Sequence, residues 1–342
     1  MELPKRLSST LIALLICAAA IQAQERSSVR PRVTPVPMPA ELAGTIPAPT
    51  GQIAFIRSGD IYLMNVDGGN MRIACASGNA YGRISWAPGN REITFARRGQ
   101  VEFKAPDNLG GKHRVYDLFK VIVDSIDINE NWWERITNGL GARFPEWSRD
   151  GSTLLYTKDY NSYLASPGFP NYQITLSNPD GSNEHPLRKD YQQTDYLSIN
   201  PTAGLNGSYA FIAFYDMKAQ GIVIVDSSDL MPSLDEVMKQ VRHESRAIAP
   251  SWSPDGNWIA YVRNDINKPA INLISPDPKQ KYTIYKPTAG VAPSTNPPGW
   301  SPDSKWLTFA TSDGRIWISD ITGNQQTEIL GPGPNLSPAW SR

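Results

Sequence analysis

One stretch, Pro250-Ser-Trp-Ser-Pro-Asp-Gly-Asn-Trp-Ile-Ala-Tyr261, recurs along the chain and dictates what it can fold into. It reads as strand, tight turn, strand. Trp252 ends the first strand, and Pro254, Asp255 and Gly256 suit the turn. Proline presets φ, aspartate bonds nearby backbone, and glycine accepts positive φ. Ile259 and Tyr261 alternate onto one face of the next strand. Trp300 precedes Leu307 and Phe309 by seven and nine residues, Trp147 precedes Leu154 and Tyr156, and Trp86 precedes Ile93 and Phe95, all at the same offsets. Such fixed offsets are the mark of a repeat architecture.

Two further strands complete the unit. Ile61-Tyr-Leu-Met-Asn-Val-Asp-Gly-Gly-Asn70 matches Ile174-Thr-Leu-Ser-Asn-Pro-Asp-Gly-Ser-Asn183, a third strand ending in an Asp-Gly hairpin turn. Segments such as Met71–Ala74 and Thr327–Leu330 follow as the fourth. Each unit is thus four antiparallel strands, A to D, with tryptophan on A. The first strand of the opening unit is displaced to the other end, as Leu336-Ser-Pro-Ala-Trp340. A ring explains this phasing, because the last strand then completes the first sheet and leaves no inner edge unpaired. Strand A ends at Trp86, Trp147, Trp252, Trp300 and Trp340, with a sixth, degenerate copy at Leu197–Pro201 carrying Ile199 in the tryptophan place. The expectation is an all-β, six-bladed β-propeller of four-stranded antiparallel blades over residues 51–342, closed by the C-terminal strand pairing with the N-terminal blade. The ten tryptophans are read chiefly as blade-to-blade packing.

The start carries a secretory pattern. Lys5 and Arg6 precede an apolar run from Leu11 to Ala20, and small residues reach Ala23, so residues 1–23 read as a signal peptide. The run is too short for a membrane span. Lipid attachment at Cys17 is disfavoured by bulky Ile16. Cleavage leaves Cys75 as the lone cysteine, a buried free thiol with no disulfide available. Residues 24–50, with Pro31, Pro35, Pro37, Pro39, Pro47 and Pro49, read as a Pro-rich linker acting as a spacer. Location in the periplasm or secretion follows from the leader.

The Trp-Ser-Pro-Asp-Gly, Ile-Ala-Tyr and Ile-Tyr-Leu-Met-Asn-Val-Asp-Gly-Gly-Asn pieces resemble the propeller repeat of the TolB family, periplasmic components of the Tol–Pal envelope system. The resemblance covers about residues 51–342. It implies a non-catalytic periplasmic propeller that binds other envelope molecules. The α/β domain that precedes the propeller in that family has no counterpart in the Pro-rich tract. The repeat is shared with secreted propellers attached to serine peptidases, and no individual binding residue carries over.

Chemistry-bearing motifs are sparse. No Gly-x-Ser-x-Gly elbow is present. His113, His185 and His243 fall in different units and form no zinc pattern. The Asp-Gly pairs at Asp67, Asp180 and Asp255 are spaced as turns, not as a dense calcium loop. Thirty-three basic residues balance thirty-three acidic ones, which gives no bulk field for nucleic acid. No cofactor is expected. A cation in the channel stays open, and with it an alternative reading as a channel-site enzyme or carbohydrate binder using a divalent cation. A third reading is a regulatory propeller acting for a separate enzyme.

Topology points to one face. The A–B and C–D turns share one end, while the B–C loops and D–A links share the other, where nearly all insertions fall. Partner-binding candidates there are Arg83, Arg143, Tyr160, Tyr163, Tyr191 and Tyr196, with Arg83 and Arg143 placed near the channel mouth. The partner expected is an envelope protein or a peptidoglycan-linked molecule, and the propeller itself a monomer. At the opposite end, Ser233-Leu-Asp-Glu236 opens a short helix expected over residues 234–243.

Overall fold

The computed structural model describes residues 38–103, 111–123, 133–139, 141–160, 171–188, 196–215, 218–226, 246–277, 279–286 and 291–342. Residues 1–37, the helix expected over 234–243, Tyr163 and Tyr191 lie outside them. Blade 1 holds β1 (Gln52–Arg57), β2 (Asp60–Asn65) and β3 (Arg72–Cys75). Blade 2 holds β4 (Ala80–Trp86), β5 (Glu92–Phe103), β6 (Gly111–Ile122) and β7 (Trp133–Arg135). Blade 3 holds β8 (Ala142–Trp147), β9 (Leu154–Asp159), β10 (Tyr172–Ser177) and β11 (His185–Pro186). Blade 4 holds β12 (Tyr196–Ala203), β13 (Tyr209–Tyr215) and β14 (Lys218–Val225). Blade 5 holds β15 (Ala247–Trp252), β16 (Ile259–Arg263), β17 (Ala270–Ile274) and β18 (Lys281–Tyr285). Blade 6 holds β19 (Gly299–Trp300), β20 (Trp306–Ala310), β21 (Ile316–Asp320) and β22 (Gln326–Leu330).

The closing strand β23 (Asn335–Trp340) joins blade 1 in the sheet order β23-β1-β2-β3, with Ile53 opposite Trp340. Six antiparallel sheets therefore form the ring, five of them four-stranded and blade 4 three-stranded among the described residues. Among those residues no helix is long and apolar enough to cross a membrane.

The core lies between blades. Trp86, Phe95 and Leu63 join blades 1 and 2. Trp147 and Leu118 join blades 2 and 3. Ala203 and Phe211 pack with Leu155 between blades 3 and 4. Trp252 and Phe214 join blades 4 and 5, Trp300 and Leu273 blades 5 and 6, and Trp340 and Ile318 blades 6 and 1. Six interfaces with no gap close the circle. Removing one such tryptophan side chain costs about 3–5 kcal/mol. The indole N–H groups tie neighbours together: Trp86 Nε1 donates to Ala339 O at 3.1 Å, Trp147 Nε1 to Thr94 Oγ1 at 3.0 Å and Trp300 Nε1 to Ser251 O at 2.9 Å.

Blade 4 corrects the reading of its degenerate repeat. Ala203 pairs with Tyr209, as Trp147 pairs with Leu154, so Ala203 and not Ile199 holds the tryptophan place. Ile199 sits further back, opposite Ile212. The reason is a bulge shared by the inner strands. Phe144, Asn200, Ala249 and Ser337 each have φ between 53° and 56° and each precedes a proline. Each lies where the pairing register slips. The extra residue displaces side chains relative to a straight strand.

The tract before the ring is more than a spacer where it is described. A short helix, α1 (Ala40–Ala43), places Met38 and Ala43 against blades 5 and 6. Lys305 Nζ donates to Ala43 O at 2.6 Å and Trp306 Nε1 to Pro47 O at 2.8 Å.

Candidate functional site

Two constellations line the central axis, one on each side of the bulge in β8. The first is at the mouth carrying the B–C loops. Arg143, near the start of β8, lies over two rings, Tyr116 at 4.7 Å and Tyr172 at 4.3 Å. Tyr116 comes from the long β5–β6 hairpin, which leans on blade 3 through a bridge to Gly141. Tyr81 adds a fourth member, its ring 5.1 Å from that of Tyr116 and 37% exposed. Desolvation opposes the Arg143 charge, yet Tyr172, Tyr116 and Asp159 outweigh it and its pKa lies above the ordinary value. Its Nε–H is buried without a hydrogen-bond partner. Just past the end of β9, Tyr160 Oη lies 3.1 Å from Thr175 Oγ1, and Lys158 Nζ sits over the Tyr160 ring.

The sequence candidates are thus partly gathered. Arg143 near the start of β8, Tyr160 just past the end of β9 and Tyr196 at the start of β12 share one end of the ring. Arg83 is corrected: it is 7% exposed and points into the channel, not onto the mouth. The cause is local. In β4 the register slips between Tyr81 and Ile84, so Gly82 and Arg83 form a two-residue bulge. Gly82 has φ +70° and lies where a Cβ would be 2.9 Å from the Phe144 ring.

The second constellation is that channel interior, a cavity of about 70 Å³. Arg83 Nη2 pairs with Glu146 Oε2 at 3.2 Å, and Arg342 Nη2 with Glu146 Oε1 at 3.2 Å. Ser85 Oγ donates to Glu146 at 3.1 Å. Arg149 stands in the same wall, its Nη2 donating to Ser253 O at 2.6 Å and to Trp252 O at 3.3 Å. Burial lowers the pKa of Arg83, Arg149 and Arg342, and each of Arg83 and Arg149 is lowered further by Arg342.

Glu146, Arg149 and Arg342 were not singled out from sequence, although a signal existed. Arg149 and Arg342 stand two residues after Trp147 and Trp340, where Pro254 and Pro302 follow Trp252 and Trp300. These two copies of the repeat thus carry arginine in the turn-proline slot. The Asp-Gly sites meanwhile close as turns. Ser253 Oγ donates to Asp255 Oδ1 at 2.6 Å and accepts from Trp258 N, and Ser148 with Asp150 and Ser301 with Asp303 repeat the knot. Among the described residues no group of three or more His, Cys, Asp or Glu could hold a metal.

No protein-family model matches the chain, and no curated protein matches it. Solved structures do. TolB from Acinetobacter baumannii superposes with a TM-score of 0.62 at 17% identity, over 86% of this chain and 68% of that one. A putative TolB from Agrobacterium tumefaciens gives 0.58 at 14% identity, over 87% and 92%. The tricorn protease gives 0.55 at 16% identity, over 82% of this chain but 25% of its own. At these identities the likeness speaks for the fold. In fold the chain is a TolB-type β-propeller with six blades sealed by its C-terminal strand.

Proposed function

We propose that the protein is a non-catalytic binding scaffold of the cell envelope, which docks a protein or peptidoglycan-linked partner on the rim carrying the B–C and D–A loops. The observation that carries this reading is the stack of Tyr81, Tyr116, Arg143 and Tyr172 at the channel mouth. Tyrosine and arginine concentrate binding energy at interfaces because they offer large, stiff contact area with a polar tip. Here the guanidinium is pre-positioned by two rings, which lowers the ordering cost of binding. The secretory pattern at residues 1–23 and the fold likeness to two TolB structures support the envelope setting. The cation-using alternative meets an adverse charge inside the channel, where three guanidinium groups face one side-chain carboxylate.

The test is a crosslinking pull-down from envelope extract with the wild type and with a triple variant, Tyr81→Ala, Arg143→Ala and Tyr160→Ala. Loss of the captured partner in a variant that keeps its β-sheet circular dichroism supports the rim. An unchanged partner set sinks it.

A further inference from the structure

We infer that the channel interior is a binding site for a small oxyanion, a carboxylate or a phosphate group, held among Arg83, Arg149 and Arg342. This stands apart from the rim reading and survives its failure.

Charge is the first ground. Arg83, Arg149 and Arg342 line one cavity with Glu146 as the single acidic side chain among its lining residues. Asp255, the next nearest acid acting on Arg149, is engaged in its own turn by Ser253 and by Asn257. A guanidinium does not shed its proton in a protein, so the excess positive charge stays. Buried charge without a counter-charge is costly, and an entering anion relieves that cost.

Preorganisation is the second. Each guanidinium is fixed by main-chain carbonyls. Arg83 donates to Pro201 O at 2.6 Å, Arg149 to Ser253 O, and Arg342 to Trp147 O at 3.1 Å and Ser148 O at 3.2 Å. The main-chain carboxylate of Arg342, a second negative group beside the cavity, is itself engaged by the Asn90 side-chain amide.

Orphaned donors are the third. Arg149 Nε–H is buried with no partner. Ser337, 3% exposed and part of the same lining, has a hydroxyl with no partner. Buried polar atoms are otherwise almost always satisfied, so two unpaired ones beside one cavity leave hydrogen-bonding capacity that a small side-chain shift would turn to a ligand. A guanidinium fork and a hydroxyl suit the planar or tetrahedral oxygens of a carboxylate or phosphate. The volume of about 70 Å³ admits such an anionic group.

The experiment is a thermal-unfolding titration of the full chain with inorganic phosphate, and separately with acetate, at ionic strength held constant by sodium chloride. The wild type is expected to gain a saturable rise in Tm of about 2 °C or more. Phosphate alone acting identifies a phosphate group, acetate alone a carboxylate, and both acting a site that takes either oxyanion. Arg149→Gln is expected to abolish the response. Ser337→Ala, which keeps the fold because Ala249 holds the same left-handed bulge position in blade 5, is expected to weaken half-saturation several-fold. A wild type without a saturable response, or one shared equally by both variants, overturns the proposal.

Discussion

Ala203 and Gly204 show how a repeat can be degenerate in sequence and intact in space. Where five copies place tryptophan, blade 4 offers a methyl group against blade 3, and Trp252 of the next blade lies over the following residue, Gly204. A Cβ on Gly204 would stand 2.8 Å from the Trp252 ring. Gly204→Ala is therefore expected to destabilise by about 1–3 kcal/mol, read as a lowered urea midpoint. At this scale the five tryptophans and their Ile and Phe partners were legible, because packing between blades needs large apolar groups at fixed register. Ala203 was not legible, since a small residue in a large residue's place leaves no pattern to match. Cys75 was read correctly as buried and free. Burial first, and Asp60 second, push its thiol up to about 11.

Strands and turns were legible where proline, aspartate and glycine punctuate them. The inner-strand bulge was not, although its proline recurs, because nothing in a proline states that the residue before it is left-handed. That omission moved Arg83 from the mouth to the interior. The loop between β16 and β17 shows how such connections are fixed. Asp265, 5% exposed, accepts from Arg246, from Arg263 at 3.0 Å and from Asn267 N at 3.1 Å. Burial works against its charge, but the Asn267 N–H and the two guanidiniums outweigh burial and hold its carboxyl below the ordinary range. A depressed folded pKa contributes stability above the unfolded value of about 3.9. That contribution is lost as pH falls through the folded value. Asp265→Asn is expected to lower the urea midpoint at pH 6, with the gap to wild type closing by pH 2–3.

On the scale of the ring, blade number followed from six copies of strand A, and closure from the one copy stranded at the far end of the sequence. Trp340 opposite Ile53 is that closure. Ser341 Oγ accepts from Gln52 N at 3.1 Å and Trp340 Nε1 donates to Thr50 O at 2.8 Å. Deleting residues 335–342 is expected to lower Tm by on the order of 10 °C or more, since a whole inter-blade interface goes with them. It is also expected to cause concentration-dependent association, because β1 becomes a bare edge. Calorimetry and sedimentation at two concentrations check both. The position of the insertions was legible from strand parity alone. The fit of residues 38–50 against blades 5 and 6 was not, because prolines announce extension and say nothing of what the segment leans on.

Arg342 touches more of the molecule than its place past the last strand suggests. It is gripped by Asn90 of blade 2 and reaches Glu146, Trp147 and Ser148 of blade 3. Circle completion and assembly of the positive lining are therefore one event. A chain caught before its tail docks lacks one of the three cations, and only a finished molecule presents the full set to an incoming anion.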